Sequence, residues 1–365
     1  MTSQVTTLAG VPGILTAEQV ALTASSVARL QRPNGQIPWW DRGHSDAWNH
    51  VEAAMALSVT GYHHEARAAY RWLAATQLGD GSWFNYYLGD GVKDARLDTN
   101  VCAYVATGLY HHFLVTNDLD FAAEMFPMVE RALEFVLRWQ LSDGTIRWSV
   151  DSTGRPEGYA LLTGSSSIFH ALRCGVALGE RLDRLTPGWE LAAGRLGHAI
   201  AHHKGAFAPK NEFAMDWYYP ILSGALSLEA AQRRLRDGWE THVMAGHGVR
   251  CVSTNDWITA AETAECVIAL DAVGWTTQAL DLFELAQRHR REDGSYWTGL
   301  AYPEQVTFPD LETTSYTAAA VILAVDALSS STPAAGLFRD ENLPAVVDLA
   351  EPDCPLGLNA ECQPR

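Results

Sequence analysis

QLGDGSWFNYY, residues 77–87, closes a charged helical pattern on a glycine and follows it at once with aromatics. Variants of this punctuation return as QRPNGQIPWW (31–40), QLSDGTIRWSV (140–150), HHKGAFAP (202–209), MAGHGVRCV (244–252) and REDGSYWTG (291–299). Their glycines, Gly35, Gly81, Gly144, Gly205, Gly248 and Gly294, lie 46, 63, 61, 43 and 46 residues apart. Each interval is long enough for two helices, and such recurrence marks a repeat architecture.

Periodicity and stop signals place the helices. One set precedes the glycines and is amphipathic: 17–31, 64–77, 121–140, 188–203, 228–243 and 276–291. A second set follows them and is poorer in charge and richer in Ala: 46–59, 99–114, 164–179, 216–226, 256–272 and 313–328. Helices apolar all round are buried, whereas those with a polar face lie outside. The alternation therefore predicts an all-α (α/α)6 toroid, a six-hairpin barrel with an inner ring wrapped by an outer one. It forms a single domain over 16–330, after an N-terminal lead (1–15) and before a Pro-rich acidic tail (331–365). The tail reads as an irregular strap over the outer ring, with a flexible partner-binding segment as the alternative.

Composition limits the partners. The formal net charge of −17 disfavours nucleic acid and anionic membranes, which need a cationic footprint, and favours a neutral polysaccharide or oligosaccharide. The start of the chain has neither a basic region followed by an apolar one nor any run long enough to span a bilayer, so a cytoplasmic location is expected. Six cysteines without CxxC spacing read as reduced packing thiols, with only Cys354 and Cys362 close enough in the tail to pair. The pairs His111–His112 and His202–His203 at helix ends, and His63–His64 in a connection, read as capping or surface groups rather than metal ligands. No metal and no cofactor is called for.

Connections from outer to inner helices are long, as in FNYYLGDGVKDARLD (84–98), while the returns are short. Long loops on one face of a rigid scaffold carry function, and here they meet the N-termini of the inner helices. At that mouth Asp46 opens inner helix one in GHSDAWNHVEAAMAL (43–57), where helix dipole and free N–H groups favour its charge. A plain N-cap is the competing reading. Asp98, Asp216, Asp256 and, before helix six, Asp310 and Glu312 read as caps or sugar-binding groups. Glu262 is expected about two turns into helix five among Ala260, Ala261 and Ala264, beyond the reach of a cap, in the setting a general acid needs. Glu52 and Glu265 read as hydrogen-bonded ties between inner helices.

Helices one and five lie two places apart in a six-membered ring, so Asp46 and Glu262 face each other across a ligand. Two opposed carboxylates at a toroid mouth point to glycoside hydrolysis. Aromatics gather in the same loops and first turns, and such rings stack on the apolar faces of sugars, although several must be ordinary packing. The substrate-binding set is Trp40, His44, Trp48, Asn49, His50, Trp83, Tyr86, Asp98, Asp216, Trp217, Tyr218, Asp256, Trp257, Glu265, Tyr302 and Glu312. Trp39, Tyr87 and Trp297 share the same loops. His44 and His50 flank Asp46 and bind substrate hydroxyls or adjust its ionisation.

RAAYRWLAATQLGDGSW (67–83) resembles the QW repeat of squalene cyclases and prenyltransferases in Arg67, Trp72, Gln77, Gly81 and Trp83. That motif is specific for architecture and weak for activity. The DxDD acid cluster of a class II terpene cyclase is absent, and Lys and Arg are scarce near the mouth. Over its whole length, and most sharply in DAWNHVEAAMAL (46–57), the chain resembles the actinobacterial hydrolases of methylmannose polysaccharides. The resemblance implies a cytoplasmic endo-α-1,4-mannosidase acting on partly 6- or 3-O-methylated chains. It also implies a catalytic Asp opening the first inner helix and a Glu in the fifth, which fall on Asp46 and Glu262. Toroidal glycosidases mostly invert, so inversion is expected. A terpene cyclase or prenyltransferase-like toroid and a non-catalytic carbohydrate-binding toroid are the alternatives.

Overall fold

A computed structural model describes residues 8–346. Six outer helices, α1 (Ala17–Ala28), α3 (His63–Thr76), α6 (Leu119–Leu137), α8 (Pro187–His202), α10 (Leu228–His242) and α12 (Thr276–Ala286), alternate with inner ones. The inner ring is α2 (Ala47–Val59), α4 (Thr99–Ala103) running into α5 (Val105–Thr116), α7 (Leu162–Arg181), α9 (Ala214–Leu222), α11 (Ala260–Ala272) and α13 (Ser315–Ser329). Burial separates the two sets as their composition requires. Eleven of the thirteen residues of α2 are buried, against three of fifteen in α10. The ring closes because α13 packs on α2 and on α1. The chain is an (α/α)6 toroid.

The repeated glycine has a precise job at four of the six positions. Gly35, Gly81, Gly144 and Gly294 adopt φ between +85° and +97°, and a Cβ on any of them would strike the backbone of the next outer helix. Four residues earlier, Gln31, Gln77 and Gln140 each donate Nε2 to the carbonyl of their own turn glycine and to one on the next outer helix, at Glu65, Met128 and Ala192. Arg290 occupies the equivalent place in the last repeat and donates to Gln19 O of α1, tying the end of the ring to its start. Gly205 and Gly248 depart from the pattern. A Cβ at Gly205 would meet nothing within 4 Å, and Gly248 lies in the strand Gly248–Val249.

The long loops add small antiparallel sheets that knit neighbouring repeats at the mouth. His44–Ser45 pairs with Tyr86–Leu88, Leu97–Asp98 with Ser149–Val150, and Trp257–Thr259 with Gly299–Ala301. The last of these corrects the start of helix five: Asp256 precedes a strand, and the helix begins at Ala260. Two of the histidine pairs also depart from expectation, whereas His202–His203 closes α8 as expected. His111 and His112 are buried inside α5, where His112 meets Ser58 Oγ at 2.8 Å, and His63–His64 form the first turn of α3.

The described part of the tail lies on the inner ring rather than the outer one. Phe338 stacks on His170 of α7 at 4.9 Å, Asp340 pairs with the buried Arg173, Arg339 reaches Asp271 of α11 at 2.7 Å, and Tyr110 donates to Asn342 O. Arg173 in an apolar helix needs a counter-charge, which explains why this segment docks there and closes the base of the lumen. Cys354 and Cys362 lie outside the described residues. Cys102, Cys174, Cys251 and Cys266 are free thiols. No helix among the described residues is long and apolar enough to cross a membrane.

Candidate active site

Asp46 is the N-cap of α2, its Oδ1 accepting from Asn49 N at 2.9 Å. Its Oδ2 accepts two further bonds, from Trp39 Nε1 at 2.6 Å and Asn49 Nδ2 at 2.8 Å. Its pKa is raised, because burial outweighs these donors, which, led by Asn49, offset part of the rise. Three N–H donors converging on a buried carboxyl make a site fitted to the ionised form. The cap reading is therefore correct but incomplete, since a cap needs only Oδ1.

A cage of rings surrounds Asp46. Trp39 packs on His44 at 4.3 Å, on Tyr316 at 4.9 Å and on Tyr86 at 5.9 Å, while Trp40 lies 5.0 Å from His44. His44 is held near a pKa of about 4 by burial and by Lys93, whose Nζ stands 3.2 Å from Nδ1, so it is a neutral ring. Tyr86 is pushed up to about 12 by burial and by Asp46 and Asp98. Asp98 repeats the Asp46 arrangement one hairpin on: it caps α4 and accepts Trp148 Nε1 at 2.6 Å, and burial lifts it to about 6. Arg96 beside it supplies a counter-charge.

Across the ring Glu262 occupies the first turn of α11, closer to the helix N-terminus than the sequence reading placed it, because the helix starts at Ala260. It is half-buried, touches the Cys251 thiol and faces Tyr218 and Tyr316. Tyr316 leads back through Trp39 to Asp46, so aromatics line the path between the two carboxylates.

Deeper in the lumen Glu52 accepts Trp48 Nε1 at 3.1 Å, and Glu265 accepts the hydroxyls of Tyr218 and of Tyr219, the latter at 3.1 Å. The two carboxyls are in hydrogen-bonding contact. Burial, followed by the charge of Glu265, drives Glu52 well above the usual carboxylate range, and burial raises Glu265 to about 7. Below them lies a cavity of about 30 Å3, room for a water, floored by Phe338.

Several predicted site residues stand apart from this centre. Trp83 is wholly buried with its N–H on Leu73 O at 2.9 Å, and His50 is bonded through both nitrogens, to Ile37 N and Ala69 O. Both are packing ties rather than sugar contacts, because neither has a free polar atom or an open face. Trp217 likewise donates to Arg234 O and stacks on His242, and Asp216 accepts from Thr163. They border a flank cleft between α9 and α10, away from the lumen. Asp256 is exposed and paired with Arg250 at 3.2 Å. Trp257 donates to Phe308 O, Tyr302 lies against His247, and Glu312 accepts from Thr298 Oγ1 at 3.1 Å. Sequence reasoning missed the hydrogen-bonding part of Trp39 and the roles of Trp148, Tyr316 and Thr298. A signal existed: Trp39, Asn85, Trp148 and Thr298 each follow a repeat glycine by four residues, and each donates to a carboxylate, on Asp46, Asp94, Asp98 and Glu312.

No family model matches the chain. Over 345 residues it is 49% identical to the MMP endo-(1,4)-3-O-methyl-alpha-D-mannosidase of Mycolicibacterium hassiacum, covering 94% of this chain and 95% of that protein. The chain belongs to that mannosidase family. Solved structures with the same fold include a glycosidase in complex with glucose, at a TM-score of 0.66 and 14% identity over 86% of this chain and 96% of that one. A D-mannose isomerase matches at a TM-score of 0.64 and 12% identity, over 84% of this chain and 96% of that one. At these identities the structural matches speak for the toroid alone. Asp46 and Glu262, joined by the run of aromatics at the mouth of the lumen, are the candidate reacting pair.

Proposed function

We propose that this protein is an endo-acting glycoside hydrolase that cleaves internal α-1,4-mannosidic bonds of methylmannose polysaccharides, with Asp46 and Glu262 as the reacting carboxyls. The observation that carries the reading is the 49% identity, over 94% of the chain, to an endo-(1,4)-3-O-methyl-alpha-D-mannosidase. In this mechanism Asp46 acts ionised, because three N–H donors are aimed at its oxygens, and it activates the attacking water. Glu262, half-buried against the Cys251 thiol and facing Tyr218 on the other side of the site, delivers the proton to the leaving oxygen. The product inverts if a water fits between the two carboxyls.

The surface around the mouth supports a methylated chain. Leu88 and Val92 on one loop and Val306, Phe308 and Leu311 on another are exposed there, in a protein otherwise strongly acidic. A methyl ether removes a hydroxyl donor and adds apolar area, so it favours such a rim over bulk water. The testing experiment measures reducing-end release and product size on methylated and plain α-1,4-mannan chains for wild type, Asp46→Asn and Glu262→Gln. Wild-type cleavage into internal fragments, lost in both variants, supports the reading. Undiminished cleavage by either variant removes that residue from the chemistry, and no wild-type cleavage of any chain removes the reading itself.

A further inference from the structure

Asp46 and Glu262 sit on helices that do not touch as neighbours, for α13 stands between α2 and α11. Inside the lumen Glu52, six residues below Asp46, and Glu265, three below Glu262, line one cavity and bring the two helices into contact through their side chains. A hydrogen bond between two carboxyl groups requires a proton on one of them. Glu265 already accepts two phenolic O–H groups, whereas Glu52 accepts a single indole N–H. The proton therefore belongs on Glu52, pointing at Glu265.

Among the described residues its surroundings leave no other neutraliser. Asp46 on α2 and Glu262 on α11 add like charges that oppose a second ionisation, while Cys266 on α11 and Cys251 in the preceding loop are thiols that burial keeps neutral. Tyr104 faces it from the α4–α5 junction, and His170 of α7, held near a pKa of about 4 and thus neutral, lines the same cavity. The α13 wall is Ala320 and Leu323, and no Lys or Arg among the described residues lines this cavity.

We propose that Glu52 and Glu265 form a proton-sharing strut across the lumen that sets the separation of the helices carrying Asp46 and Glu262, which makes both of them positioning residues for the cleavage. This rests on the function proposed above. Ionisation of Glu52 would place two like charges in contact and push α2 and α11 apart, so turnover falls on the alkaline side for a reason unrelated to the proton donated to the leaving group.

Two variants separate the ideas. Glu52→Gln keeps an oxygen for Trp48 and supplies an N–H to Glu265, yet cannot ionise. Glu52→Leu fills the space and removes the strut. On a methylated mannan chain, Glu52→Gln is expected to retain kcat within about threefold of wild type at pH 7 and to move the alkaline limb upward by a pH unit or more. Glu52→Leu is expected to lose at least about tenfold in kcat at every pH with KM changed less than threefold. An alkaline limb unmoved in Glu52→Gln, or wild-type kcat in Glu52→Leu, overturns the strut.

Melting curves need no substrate and so test the strut independently of the functional reading. A carboxyl held above its unfolded value contributes most below that value and loses its contribution as pH rises. Between pH 5 and 9 wild type should therefore lose about 3 °C or more of Tm relative to Glu52→Gln. Divergent melts in a protein that cleaves no mannan keep the strut and discard the function. Melts that run parallel overturn the strut.

Discussion

Trp39→Phe removes the indole N–H from the centre of the site and shrinks the ring system while leaving an aromatic side chain in place. The phenyl ring keeps the contacts to His44 and Tyr316, while the 2.6 Å indole bond to Asp46 Oδ2 is lost. A hydrogen bond to a charged group contributes about 1.5–3 kcal/mol, and 1.36 kcal/mol corresponds to one pH unit. Because the bond favours the ionised carboxyl, its loss makes Asp46 harder to ionise, the same direction in which burial already drives it. The acidic limb of kcat/KM on a methylated mannan should therefore move upward by about 1–2 pH units. Activity then falls roughly 10- to 100-fold where the wild type is on that limb and recovers toward wild type at higher pH. The assay is a full pH profile of initial rates, with melting curves as a check on folding. A limb that stays in place, or a loss equal at every pH, would refute both the ionised role of Asp46 and the part given to Trp39.

Gly81→Ala should destabilise the protein by about 2 kcal/mol or more, because residue 81 holds φ +97° and a methyl would strike the Arg131 carbonyl. Gly205→Ala, where nothing lies within 4 Å, should change Tm little, and equal effects would show that the two turns are alike after all. Replacing Phe308 or Leu311 with Ser should lower the preference for methylated over plain chains by about fourfold for each methyl group the residue covers, following roughly 0.8 kcal/mol per buried CH2. Competition between the two substrates reads this ratio directly, and an unchanged ratio would take the rim out of recognition. Phe338→Ala should cost about 1–3 kcal/mol in thermal unfolding through the lost stack on His170, with the cleavage rate per folded molecule unaltered.

The ring was legible because its signal is periodic and redundant: a helix such as α2, apolar on every side, has nowhere to go but inside. The place of Asp46 was legible because a helix start can be read locally, and that of Glu262 because a carboxylate flanked by alanines in an apolar helix is conspicuous. The depth of Glu262 was misjudged because the strand Trp257–Thr259, held by a partner forty residues on, shortens the helix from outside. Trp83 and His50 looked like site residues from their neighbours in sequence, yet their hydrogen-bond partners at Leu73 and Ala69 belong to a different helix and turned them inward. Asp256 failed similarly, because its ion pair with Arg250 is a local loop event that composition does not announce. The donors four residues past each repeat glycine were the missed opportunity. Aligning the repeats on Gly35, Gly81, Gly144 and Gly294 puts Trp39 and Trp148 in register, but their acceptors emerge only when the loops pair.

The tail segment beneath the lumen decides how a polymer can travel. With Phe338 and Asp340 anchored on α7 and Arg339 on α11, the ring is a well with one opening and not a tunnel. A chain cannot be drawn through it link by link; it must be laid over the rim with both arms in solvent. Each cut then releases two free pieces, and the enzyme has to find its next bond afresh. Long chains should accordingly shorten by random scission from the first minutes, with no ladder of single-unit products.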